Sequence, residues 1–151
     1  MSRSHIPKSL RELVTEDSGS RCGYCLSSQA VAGMAFEMDH VFPESLGGRT
    51  ERENLWLCCG GCNDRKGSRT SAIGKVTGKR VRLFHPRQDN WIDHFQGIQN
   101  GEVIEGRTPI GRATVMALEL NRPLLVVARR EWVGVGWHPP KQQRRVRRRP
   151  R

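Results

Sequence analysis

Two Cys-x-x-Cys pairs, Cys22/Cys25 and Cys59/Cys62, constrain this chain more than any other feature. One such pair alone is a weak signal, open to a redox site, a cluster ligand or chance. Two pairs of the same spacing meet the ligand demand of a tetrahedral zinc ion bound by four thiolates. Between Cys25 and Cys59 lie 33 residues, against about 15 to 20 in a simple zinc ribbon, so the ion is expected to enclose an insert. Cys58 follows Leu55, Trp56 and Leu57 and reads as a small buried residue rather than a fifth ligand.

A staple is expected on composition as well. Only 36% of the 151 residues are hydrophobic and 6% aromatic, so the core is modest and a small module within it gains from a metal. Lys and Arg total 26 against 15 Asp and Glu, a net charge of +11. That excess points to a polyanionic partner through counterion release, and the preponderance of Arg suits phosphate oxygens; the bland alternative is a solvated basic surface. The N-terminal residues lack the apolar core of a signal peptide, and no apolar run approaches membrane-spanning length. A cytoplasmic protein without membrane contact is expected, and there paired cysteines favour metal over disulfides.

Along the chain, residues 1–21 are expected to supply an N-terminal helix over Pro7–Asp17, with Leu10, Leu13 and Val14 on one face. Residues 22–71 hold the zinc pairs, a strand over Ala35–Phe42 ended by Pro43, a loop over Glu44–Thr50 turning at Gly47-Gly48, and a helix from Cys62 to about Thr70. Residues 72–140 form a mixed extension that begins as a basic, Gly-containing linker. A hairpin turn at Asn100-Gly101 follows, then a helix over Ile110–Leu120 capped by Thr108-Pro109, and a second helix opened by Pro123 with Leu124, Val127 and Ala128 on its apolar face. Residues 141–151 are an Arg-rich tail, expected to be disordered and useful only electrostatically.

Between the cysteine pairs, Asp39-His40 sets a carboxylate that can hold a cation beside an imidazole that can take a proton, its ordinary pKa being about 6.5. With Asn54 and Asn63, these residues suggest metal-assisted hydrolysis on a zinc-stapled scaffold. Asp39-His40-Val-x-Pro-x-Ser-x-Gly-Gly, then Asn54-Leu, then Cys59-x-x-Cys62-Asn63-x-x-Lys66-Gly67 resembles the HNH endonuclease family over roughly Cys22–Thr70. The resemblance implies an α+β protein built on a ββα-metal (His-Me finger) module that cuts DNA, most simply double-stranded. It implies His40 as general base, Asn54 fixing the geometry around it, and Asp39 with Asn63 holding one divalent cation. Asn63 stands where the family's last His would, an HNN variant, and its amide oxygen leans the site toward Mg²⁺ or Mn²⁺.

Arg49, Arg65, Lys66 and Arg69 are the cations expected to touch nucleic acid. Taken singly, bland readings compete: Asn63 as a helix cap, Arg65, Lys66 and Arg69 as a solvated helix face. Strand alternation also sends neighbours Asp39 and His40 to opposite faces, so both are expected near the strand's end, where irregular backbone can re-aim a side chain. The rival from another class is a non-catalytic zinc module binding DNA or RNA, and RNA cleavage is a further alternative. A double-strand break from one small module would favour a homodimer.

Overall fold

The computed structural model describes residues 4–141; the Arg-rich tail, apart from Lys141, lies outside the described residues. Among the described residues, three two-stranded antiparallel sheets, six α-helices, the shortest a single turn, and two 3-10 turns make up the fold. The first helix, α1 (Lys8–Asp17), lies against the segment Leu55–Cys58 with Val14 fully buried, while Leu13 stays exposed. After the first cysteine pair comes a single-turn helix, α2 (Gln29–Ala32), capped by the Ser28 hydroxyl.

The insert between the cysteine pairs and the helix after it form a ββα unit. Strand β1 (Glu37–His40) pairs with β2 (Leu55–Cys58) so that Glu37 faces Cys58 and His40 faces Leu55. Leu55–Cys58, too short and apolar to type from sequence, is a strand buried along its whole length. Between them, Gly47 and Gly48 turn the loop, and a Cβ at Gly48 would stand 1.7 Å from the Phe42 carbonyl oxygen, so no larger residue fits there. Helix α3 (Gly60–Lys66) starts two residues before Cys62, because the Cys59 thiol caps it by accepting the Cys62 amide at 3.4 Å. It ends at Gly67, with φ of 54°, rather than running on to Thr70.

The stretch expected as a basic linker is a hairpin instead. Strand β3 (Ser71–Ile73) pairs with β4 (Arg80–Arg82), and both lie against α5 (Pro109–Ala117). A one-turn helix α4 (Trp91–His94) leads into β5 (Phe95–Ile98), which returns as β6 (Val103–Gly106) after the Asn100-Gly101 turn. Thr108 caps α5 as its hydroxyl accepts the Gly111 amide at 3.1 Å.

Helix α6 (Pro123–Gly134) corrects the expected apolar face. Leu124 is 84% exposed and Val127 also faces solvent, while Arg129 is the residue buried. Its guanidinium donates to the carbonyls of Glu102 and Leu120, both at 2.8 Å, and to Asn121 Oδ1 at 3.2 Å. Carbonyls left over at the end of α5 and in the β5–β6 turn thus choose the docking face. One hydrophobic core joins the cysteine cluster to the extension, from Cys22, Tyr24 and Leu57 through Phe84 and Phe95 to Ile104 and Leu120. Phe84 sits centrally, edge-on to Phe95 at 5.1 Å and to Tyr24 at 6.3 Å.

Candidate active site and thiolate cluster

Cys22 and Cys25, from the loop after α1, meet Cys59 and Cys62, from the start of α3, with all four sulfurs within 4.8 Å of one another. None is in a disulfide and all are buried. Cys25 Sγ and Cys59 Sγ stand 3.7 Å apart; sulfurs about 2.3 Å from a tetrahedral zinc would be about 3.8 Å apart. The group could therefore hold zinc. Burial pushes the Cys22 thiol up, while hydrogen bonds from Cys22, Cys25 and Cys62 hold Cys59 down. Cys58 is buried beside the cluster and is not one of the four.

One counter-charge arrives from far along the chain. Arg122, at the entry to α6, directs Nη1 at Cys62 Sγ (3.6 Å) and Nη2 at Cys59 Sγ (3.6 Å) and Cys62 Sγ (3.7 Å). Burial alone would lower its pKa, yet Cys62 and Cys59 raise it on balance. Gly61 makes room, since a Cβ there would meet Arg122 Nη2 at 2.5 Å.

On the other side of α3 an open cleft of about 510 Å³ is lined by Glu37, Asp39, His40, Glu44 and Asn63, with Arg11 of α1 at its edge. Alternation along β1 sends Glu37 and Asp39 toward α3, where Asn63 and Lys66 meet them, while His40 lines the same cleft from the end of the strand. Asn63 Nδ2 donates to Glu37 Oε2 at 2.5 Å. His40 Nε2 lies 2.9 Å from Thr50 Oγ1 and 3.6 Å from Glu44 Oε1. With the Thr50 hydroxyl hydrogen directed to Glu44 at 3.5 Å, its oxygen is free to accept from Nε2–H, the tautomer in which the His40 Nδ1 lone pair is open. The Glu44 carboxyl is held below its ordinary range, first by Ser4 and then by His40 and Thr50.

Asp39 is 3% exposed and already engaged. Lys66 Nζ donates to its Oδ1 at 3.0 Å and Tyr24 Oη to its Oδ2 at 2.7 Å. Lys66 also donates to the carbonyls of His40 (3.3 Å) and Val41 (3.2 Å), so its three N–H bonds strap the end of β1. Asn54 performs a similar office for the loop: Oδ1 accepts the Phe42 amide at 2.8 Å, and Nδ2 donates to the carbonyls of Phe42 and Arg49, both at 2.9 Å. It braces the backbone after His40 and makes no bond to the imidazole.

The expected nucleic-acid contacts fare unevenly. Lys66 is 1% exposed, so it is not on the surface; its ammonium is taken up inside the ββα unit. Arg65 pairs with Glu119 at 2.9 Å. Arg69 donates to carbonyls of Lys66 and Arg65 and, at 2.8 Å, of Ala117, fastening the end of α3 to α5. Arg49 is exposed. Glu37, Glu44, Thr50, Tyr24 and Arg122 carry no motif that sequence reasoning would single out. Glu37 alone has a signal, lying two residues before Asp39 on the same strand face.

No curated protein and no solved structure matches the chain. The family model described as HNH endonuclease matches residues 22–69, the stretch that contains both cysteine pairs, the whole ββα unit and the residues around His40. Over that stretch, about a third of the chain, the protein is similar to the HNH endonuclease family, with its ββα core framed by a four-cysteine cluster.

Proposed function

We propose that this protein is a metal-dependent endonuclease that hydrolyses DNA phosphodiester bonds in the cleft between β1 and α3. The observation that carries the reading is the convergence on one cleft of His40, an amide and several carboxylates, within the segment that matches the HNH endonuclease model. His40 takes the proton of the attacking water at Nδ1, the nitrogen that the Thr50 bond leaves open. Thr50 and Glu44 hold the ring in place. Asn54 and Lys66 keep the backbone at and after His40 in place.

The donor set fits a hard divalent cation, Mg²⁺ or Mn²⁺, at Asp39 and Asn63, with Glu37 as a further carboxylate. Each Asp39 oxygen keeps a lone pair beyond its bond to Lys66 or Tyr24. Lys66 offsets the charge of Asp39, so Glu37 contributes the uncompensated negative charge. The cation, when bound, supplies counter-charge to the scissile phosphate. Zinc at Cys22, Cys25, Cys59 and Cys62 is structural, since four thiolates leave no open position for substrate.

The test is conversion of supercoiled plasmid by zinc-loaded protein with Mg²⁺, Mn²⁺ or EDTA, with an RNA of matched length alongside. Metal-dependent nicking or linearisation of DNA is expected. Salt-sensitive binding without cleavage under any metal would leave the non-catalytic DNA- or RNA-binding module, and preferential RNA cleavage would change the substrate.

A further inference from the structure

From Arg65 to Gln88 the chain contains eight Lys or Arg and no Asp or Glu. The structure uses most of these cations internally. Arg65 pairs with Glu119, Lys66 with Asp39, Arg82 with Asp89 and Arg87 with Asp17, and Arg69 is spent on carbonyls. The three left over, Lys75, Lys79 and Arg80, fall together on the β3–β4 hairpin. All three are exposed and make no ion pair with a described residue; Arg80 donates only to the Ser71 hydroxyl, at 2.9 Å.

The hairpin is also built to present them. Its turn is closed by the Gly74 amide on the Lys79 carbonyl at 2.7 Å and the Gly78 amide on the Gly74 carbonyl at 2.8 Å, so the cations sit on an ordered ribbon. Its root is pinned by the Leu83 amide on the Thr70 carbonyl at 2.9 Å. There a second cleft, about 310 Å³, is lined by Val41, Phe42, Lys66, Thr70 and Arg82. The ribbon thus springs from beside the residues that directly follow His40. At about 3.3 Å per residue its charged tip lies on the order of 10–20 Å from that root, a distance that spans several phosphates of a duplex. A two-stranded ribbon is also a shape that the major groove admits.

We propose that the β3–β4 hairpin, through Lys75, Lys79 and Arg80, is the surface that grips duplex DNA beside the cut, in place of the outer face of α3. The identity of the polyanion rests on the nuclease reading above. Lysine ammoniums without a fixed partner meet phosphate as point charges, so the grip is non-specific in sequence and strongly salt-dependent.

The test measures equilibrium binding of a fluorescent DNA duplex across a salt series, in full-length His40→Ala protein so that cleavage does not intervene. Lys75→Ala/Lys79→Ala/Arg80→Ala should lower the slope of log K against log salt by about 2 to 3, near 0.9 for each phosphate no longer neutralised. Lys75→Glu/Lys79→Glu, confined to the exposed turn, repeats the test without touching strand pairing. Lys8→Ala/Lys141→Ala, removing exposed cations elsewhere, should leave the slope in place. An unchanged slope in both hairpin variants, or an equal drop in the control, overturns the assignment. A protein that cuts plasmid yet shows that unchanged slope loses the hairpin and keeps the nuclease reading. One whose slope falls as expected but whose His40-containing form never cuts keeps the hairpin and loses the nuclease.

Discussion

Replacing Arg122 with Met should loosen metal at the cysteine cluster without touching any of the four thiols. Three N–H···S contacts at 3.6, 3.6 and 3.7 Å leave one guanidinium. They share a single charge and are long, so we count them as one charge-assisted interaction of about 1.5–3 kcal/mol. That corresponds to about a 10- to 150-fold rise in the zinc dissociation constant, in keeping with the ~10- to 100-fold typical of groups that support metal ligands. Arg122→Lys should recover only part, because an ammonium has no planar fork to serve two sulfurs at once. Gly61→Ala should fall between, since its Cβ would push Nη2 aside from 2.5 Å. The assay is competition for zinc with a chromophoric chelator at fixed pH, with cobalt substitution reporting thiolate coordination. A dissociation constant for Arg122→Met within about twofold of wild type would refute the reasoning, and with it the idea that the extension helps to hold the metal.

Lys66→Met should cost about 3–5 kcal/mol in denaturant unfolding, because it strands the Asp39 carboxylate in the interior. Asp39→Asn/Lys66→Met should recover much of that loss, and simple additivity of the two single changes would deny the pairing. Asp17 bonds Arg52 at 2.7 Å and Arg87 at 2.8 Å, and the hydrogen bond from Arg52, ahead of that from Arg87, lowers its pKa from 3.8 to about 2. The unfolded chain therefore binds the proton first as acid is added. Stability from this group is full above about pH 4 and is lost as pH falls through about 2. Asp17→Asn should be less stable than wild type at neutral pH, and the gap should narrow over that window; a constant gap down to pH 2 would contradict it.

Local chemistry was legible in the sequence, and long-range partnership was not. The cysteine spacing announced the cluster because ligand spacing is a local property, and β1 could be read from alternation around Asp39. Leu55–Cys58 has no alternation since both faces are buried, so only pairing with β1 reveals it as a strand. Lys66 reads as a surface residue on a polar helix; its partner Asp39 is 27 positions away, and nothing near either residue marks the pair. Arg122 lies 60 residues from Cys62 and announces itself even less. Helix α6 misled for a related reason. Its apolar residues at helical spacing suggested a core face, whereas unsatisfied carbonyls on other elements drew Arg129 inward.

The most direct test of the account is plasmid cleavage by His40→Ala beside wild type, at matched zinc content, matched DNA binding and saturating Mg²⁺ or Mn²⁺. The account predicts that cleavage falls by at least about 10²-fold with the loss of the base, while zinc content and binding stay at wild-type levels. Cleavage by His40→Ala at the wild-type rate would contradict the account and move the chemistry out of this cleft.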